Sequence, residues 1–230
     1  FSQLKPKNYI NTNIFGFINL LDSVLGSRPK KILYASSSSV YGESKKLPSK
    51  EKDDLLPLNI YATSKQLNEI IAKFYSRYHG LNMVGLRFFT VYGEWGRPDM
   101  FLFKLFKASF LKNYFYLNNA GNHKRDFTYI NDAIEITKKI IFSTKIKSNN
   151  TIFNVCSNKP IKITKVIDFF LKKNRSVKIS KISRNRLDVK NTHGSNVLVK
   201  KITSFYKFTN YKTGIINSYN WYKKYKIYKI

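Results

Sequence analysis

Cysteine is almost absent from this chain. Cys156 is the one thiol among 230 residues, which excludes an internal disulfide framework and a cysteine-built metal site. It lies in the apolar run T-I-F-N-V-C-S, so a buried, inert thiol is expected. The three histidines, His79, His123 and His193, share no metal-ligand spacing. Acidic residues are scarce too, 13 Asp and Glu against 42 Lys and Arg, for a formal charge of +29. Such a balance first raises nucleic acid or an anionic membrane as partners. The basic residues are spread along the chain and match no nucleic-acid motif, and a bias toward Lys, Asn, Ile, Phe and Tyr, whose codons are A/T-rich, accounts for them. The ten glycines nowhere form a G-x-x-G-x-x-G cluster, the turn that cradles a dinucleotide pyrophosphate. No apolar run reaches the ~20 residues of a membrane span, and no stretch of the sequence reads as a signal peptide. The expectation is a cytoplasmic protein of one or two domains with neither nucleic acid nor membrane as partner.

What is present centres on residues 36–65, which read S-S-S-S-V-Y-G at 36–42 and N-I-Y-A-T-S-K at 59–65. Lys31–Ala35 has the composition of a buried parallel strand. The serines therefore stand at the carboxyl end of a strand, where open α/β sheets place their ligand crevice. A helix is expected from Tyr61 onward, with Ile60, Leu67, Ile70, Ile71 and Phe74 facing inward. Tyr61 and Lys65, four apart, emerge on one face. A phenol is a poor base at neutral pH, and a fixed ammonium one helical turn away favours its ionised form. With a serine to hold the substrate oxygen, the set suits removal of an alcohol proton while hydride leaves the same carbon. Y-x-x-x-K alone is weak evidence in a chain rich in Tyr and Lys; preceded by the serine run and V-Y-G it becomes strong.

Further blocks extend the pattern. Asn8–Leu25 reads as a helix with Gly26 as its C-cap, and it carries Asn13-Ile14-Phe15-Gly16, an N-x-x-G. Asn82–Arg87 reads as a buried strand running into F-F-T-V-Y-G, followed by E-W-G-R-P-D-M at 94–100. Met100–Leu111 is expected to be helical, Tyr114–Asn118 a strand, Thr151–Val155 a strand, and Ile161–Lys172 an amphipathic helix. Gly121–Ile130, G-N-H-K-R-D-F-T-Y-I, is a second distinctive block, and Asp132 is expected to cap a helix over Ala133–Ile141. Ser218–Tyr228 reads as a terminal helix.

These motifs resemble the extended short-chain dehydrogenase/reductases of the NAD-dependent epimerase/dehydratase family, and R-F-F-T-V-Y-G-x-W-G-R-P-D-M resembles the UDP-glucuronate 4-epimerases in particular. The resemblance implies an α/β fold: the C-terminal part of a Rossmann-type parallel sheet plus a smaller α+β substrate-binding domain. It implies residues 1–93, joined by 126–156, for the NAD-binding domain, and 94–125 with 157–230 for the substrate domain. It further implies three strand–helix units ahead of Phe1, which hold the adenosine and pyrophosphate.

By resemblance, Tyr61 is the base, Lys65 its partner on the nicotinamide ribose, and Ser37 the bridge to the substrate hydroxyl, with Ser38 beside it. Asn13, Ala35, Ser36 and Phe88 are implied on the NAD side, and Thr90, Tyr116, Arg125 and Asp188 on the UDP-sugar side, with Asp126 positioning Arg125. Arg97 is the informative member, because a guanidinium fork matches a carboxylate and a neutral sugar has no use for it. Departures exist: Leu187 and Ser195 replace the Gly and Asp expected around Asp188-Val189, which weakens the assignment of Asp188. The implied reaction is interconversion of UDP-glucuronate and UDP-galacturonate with NAD, in a homodimer formed through Asn8–Leu25 and Tyr61–Tyr78. Dehydratases of this family need an acid–base pair where this chain has Ser38 and Ser39, and decarboxylases carry Glu where Ser39 stands. An inactive sugar-nucleotide-binding chain is the alternative from another class.

Overall fold

The strands at 32–37, 83–88 and 150–155 are short, apolar and bounded by turns, the pattern of strands covered on both faces. In the computed structural model, which describes residues 3–146, 148–172, 174, 177–225 and 227, they form one parallel sheet. β1 (Ile32–Ser37) pairs with β2 (Met83–Phe88), which pairs on its other side with β6 (Asn150–Val155). Register is continuous: Ser36, Arg87 and Asn154 lie side by side across the three strands.

Helix 6–23 precedes the sheet as α1 (Pro6–Ile10), a π turn at Asn11–Phe15 and α2 (Gly16–Ser23). It ends at Val24, so Gly26 is not its cap. Between β1 and β2 runs α3 (Ile60–His79), whose first turn is closed by Asn59 Oδ1 accepting from the Ala62 amide at 2.9 Å. Its end is set by Gly80 at φ 72°, the left-handed conformation that favours glycine.

The inward face of α3 differs from the expected one. Ile60, Ile70 and Phe74 are exposed, Leu67 and Ile71 are half-buried, and the buried face carries Ala62, Ser64, Asn68, Glu69, Ala72, Tyr75 and Ser76. The reason is partnering. Ser64 accepts from Asn13 Nδ2 at 2.8 Å and Ser76 donates to the Asn149 carbonyl at 2.8 Å. Buried polar groups with partners lose little on leaving water, and periodicity of apolar residues alone does not register them.

The rest of the chain builds a second lobe. β3 (Thr90–Tyr92) pairs in parallel with β5 (Lys124–Tyr129), and β7 (Pro160–Lys162) adds antiparallel to β5. β4 (Tyr114–Asn118) pairs with β8 (Lys178–Ile182), a strand the sequence reading lacked. α4 (Phe101–Phe110), α6 (Ile163–Leu171) and α8 (Tyr211–Lys224) enclose an aromatic core of Phe103, Phe106, Phe170 and Tyr222. Edge-to-face contacts such as Phe103–Tyr222, 5.3 Å between centroids, match the ring quadrupoles.

α5 (Ile130–Ile141) and α7 (Val197–Thr203) return to cover the main sheet. Asp132 lies within α5 and is not its cap. Its carboxylate accepts from the Thr209 amide and hydroxyl, both at 2.8 Å, and so ties down the segment before α8. Cys156 is fully buried, and burial pushes its thiol well up from the ordinary range.

Candidate active site

The end of β1 is a turn built by its own serines. Ser37 Oγ accepts from the Ser39 amide at 3.2 Å and donates to Ser39 Oγ at 3.1 Å, capping the short helix Ser38–Tyr41. V-Y-G completes the turn: Val40 and Tyr41 are buried, and Gly42 sits at φ 57°. A Cβ there lies 1.8 Å from the Leu56 carbonyl oxygen, so only glycine fits. The side chain of Ser37 is thereby presented at the mouth of the sheet.

α3 delivers Tyr61 and Lys65 to the same place. Both, with Ser37 and Ser38, line a cavity of about 650 Å³ at the carboxyl ends of β1 and β2. Lys65 Nζ donates to the Ala35 carbonyl at 3.0 Å, and burial lowers its pKa from the ordinary lysine value. An ammonium has three donors, so this bond leaves others for a ligand. Ala35, Ser36 and Phe88 also reach the cavity wall, although the Ser36 hydroxyl is committed to Glu69.

The opposite wall comes from the second lobe. Thr90 opens β3, and the loop that follows begins at Gly93, φ 149°, where a Cβ meets Ile130 Cγ2 at 2.2 Å. Tyr129 donates to the Glu94 carboxylate at 2.8 Å and pins this loop. Trp95 lines the cavity at 81 % exposure, its ring 5.1 Å from that of Trp221. Arg97, also on the wall, pairs with Asp99 at 3.1 Å through two nitrogens and keeps 67 % of its side chain exposed.

Arg125 projects from β5 into the cavity and pairs with Asp188 at 3.1 Å, while donating to the Lys190 carbonyl at 3.0 Å. Asp126 does not position it. Successive residues of a strand point to opposite faces, and Asp126 is fully buried on the other side. There it accepts from the Ser157 amide and hydroxyl and from the Gly194 amide. Asp188 takes over that role and also accepts from Asn118 Nδ2 at 3.2 Å. The charged residues lining the cavity are thus Lys65, Arg97, Arg125 and Asp188, an excess of cations suited to an anionic ligand.

Two expected site residues stand apart. Tyr116 lines a second cavity of about 780 Å³ with Asn118, Arg184 and Asn185; Asp188 is shared by both cavities. Asn13 lines neither. Its amide donates to Ser64 and its carbonyl accepts from Asn68, joining the π turn to α3. Among the described residues no group of three His, Cys, Asp or Glu side chains is placed to hold a metal. No helix among them is long and apolar enough to cross a membrane.

Sequence reasoning missed a buried network beneath the site. Arg87 Nε and Nη2 donate to the two Glu69 oxygens at 2.8 and 2.7 Å, and its Nη1 donates to Tyr41 at 2.8 Å. Tyr41 in turn donates to Asn154 Oδ1 at 2.7 Å. The legible signals were an arginine inside an apolar strand and the spacing Tyr61, Lys65, Glu69.

A donor set of this kind fits the nicotinamide-ribose end of a dinucleotide: a lysine ammonium with free donors beside two strand ends. The profile of the NAD dependent epimerase/dehydratase family matches residues 1–156. UDP-glucuronate 4-epimerase 5 of Arabidopsis thaliana is 36% identical over 241 residues, covering 96% of this chain and 55% of that protein. Protein CapI of Staphylococcus aureus is 32% identical over 239 residues, covering 96% of this chain and 71% of that one. Among solved structures, UDP-glucuronic acid 4-epimerase from Bacillus cereus, in complex with UDP-glucuronic acid and NAD, superposes with a TM-score of 0.87 at 26% identity. That match covers 94% of this chain and 68% of the other. The chain spans about half the length of the Arabidopsis relative. It belongs to the NAD dependent epimerase/dehydratase family.

Proposed function

We propose that this protein epimerises a UDP-hexuronate at C4, interconverting UDP-glucuronate and UDP-galacturonate. The observation that carries this reading is one cavity lined by Ser37, Tyr61 and Lys65 on one side and by Arg97 and Arg125 on the other. Lys65, Ala35, Ser36 and Phe88 would hold the nicotinamide end of NAD, on the lobe built around β1, β2 and β6. When bound, NAD would supply the hydride acceptor for C4 and the source of the hydride that returns to the opposite face of the sugar. Tyr61 takes the C4 hydroxyl proton and later gives it back. Ser37 holds the C4 oxygen through both steps, and Lys65 keeps a positive charge beside the phenolic oxygen. Arg125 and Asp188 hold the ribose and diphosphate, with Thr90 on the same wall and Tyr116 on the adjoining cavity that Asp188 shares. Arg97 pairs with the sugar carboxylate in exchange for Asp99.

Product analysis tests the reaction. Incubation with UDP-glucuronate and NAD is expected to yield UDP-galacturonate; a UDP-pentose or a 4-keto-6-deoxy sugar overturns the assignment. Arg97→Leu removes a charge-assisted pair of roughly 1.5–3 kcal/mol. It is expected to lower kcat/KM for the uronic substrate about tenfold to hundredfold, with turnover of a neutral UDP-hexose unchanged or raised. Equal losses on both substrates show that Arg97 does not read the carboxylate.

The partner is a second copy of the chain. Ile70, Phe74 and Tyr78 form an exposed stripe on α3, and Phe15 and Leu20 are exposed on the adjoining helix. Covering such apolar surface contributes about 25 cal/mol per Å². Sedimentation is expected to show a dimer that Ile70→Asp with Phe74→Asp converts to monomer; a wild-type monomer at micromolar concentration refutes it.

A further inference from the structure

Ser36, Arg87 and Asn154 form a polar row across three adjacent, buried strands, where an apolar row would pack equally well. Glu69 reaches this row from α3, and the Arg87–Glu69 side chains are 4% and 7% exposed. Burying an ion pair contributes little net stability against apolar residues of the same volume. The surroundings suggest what it contributes instead. Between Tyr61 and Glu69 the buried side chains of α3 are Ala62, Ser64 and Asn68, and Ser64 and Asn68 are bonded to Asn13 of the preceding helix, so the sheet itself has little to interlock with there. Two consecutive rungs to β1 fix the helix's axial position: Lys65 to the Ala35 carbonyl and Ser36 to Glu69. Arg87 extends the lower rung to β2, and through Tyr41 to β6 and the turn that carries Ser37. Tyr61, Lys65 and Glu69 lie one turn apart on one helix face.

We infer that Glu69 and Arg87 are positioning residues that set the height of α3 on the sheet and so hold Tyr61 and Lys65 in reach of Ser37. The inference rests on the proton-transfer reading given above, and one of its two readouts needs no turnover. The variant Glu69→Leu/Arg87→Met removes both charges together at similar volume, a change that buried pairs tolerate. The first readout is the nitrogen-15 NMR signal of the Lys65 ammonium, assigned by its loss in Lys65→Arg. In the parent protein the bond to Ala35 is expected to slow its exchange with solvent enough for the signal to be seen; in the double variant the signal is expected to vanish. The second is the division between kcat and KM. Misplacement of about 1 Å costs up to about 100-fold in rate, so kcat is expected to fall by about 10- to 100-fold. KM is expected to stay within about threefold, because the wall that binds substrate is untouched. A purely structural role lowers the melting temperature but leaves the signal and kcat at 25 °C in place, and that result overturns the proposal. If the double variant does not fold, Ser36→Ala decides. It removes one neutral rung and is expected to weaken the same signal and lower kcat about five- to tenfold; no change in either overturns the proposal. If the parent protein turns over neither UDP-hexuronate, the functional reading fails, while the ammonium signal still decides the positioning claim.

Discussion

Replacing Tyr61 by Phe is expected to lower kcat on UDP-glucuronate by about 10³-fold, within the range of a positioned acid–base group. Phenylalanine keeps the ring and its edge-to-face contact with Tyr9, 6.0 Å between centroids, so folding is preserved. What disappears is the one oxygen on the cavity wall that combines helix placement, a lysine one turn away and a serine opposite. Ser37 does not substitute for it, because an aliphatic hydroxyl ionises far less readily than a phenol. The loss belongs in kcat rather than KM, since the proton moves only as hydride leaves. Substrate binding, measured by calorimetry, is expected to stay within about threefold of the parent. A variant that keeps more than about a tenth of the parent kcat places the base elsewhere.

Stability responds most strongly at Arg87. Arg87→Met leaves Glu69, at 8% exposure, as a buried carboxylate without its cation, and the Tyr41 and Glu51 oxygens without their donor. Breaking one side of a buried pair costs about 3–5 kcal/mol, which for a chain of this size corresponds to a fall of roughly 6–20 °C in melting temperature. The Glu69→Leu/Arg87→Met protein, lacking both charges, is expected to be more stable than Arg87→Met alone. Denaturant titration of the parent, Glu69→Leu, Arg87→Met and the double variant checks this; additive losses show that the pair is not coupled.

The main sheet was legible because parallel strands buried on both faces read as unbroken apolar runs. Thr151–Val155 and Asn82–Arg87 each lie within a residue of the observed β6 and β2. Tyr114–Asn118 coincides with β4. The site was legible where one element carries two partners at helical spacing, as with Tyr61 and Lys65. It was not where a partner lies far along the chain. Arg125 pairs across 63 residues with Asp188, and no local pattern distinguishes that from a pair with the neighbouring Asp126. Strand alternation alone excludes Asp126, once β5 is recognised as a strand. The inward face of α3 was hidden because its serines, Asn68 and Glu69 are paired inside, while Ile70 and Phe74 face outward.

The three-strand row also constrains how this sequence can drift. A chain that loses Arg87 or Glu69 singly passes through a form with a stranded charge, so the two positions are free to change only together. Ser36 and Asn154 belong to the same unit through Glu69 and Tyr41. Where activity is selected, descendants of this chain are therefore expected to keep the whole set. Where folding alone is selected, mixed versions are removed first, and a library randomised at these positions and sorted for stability will return survivors clustered at the intact set and at its all-apolar replacement.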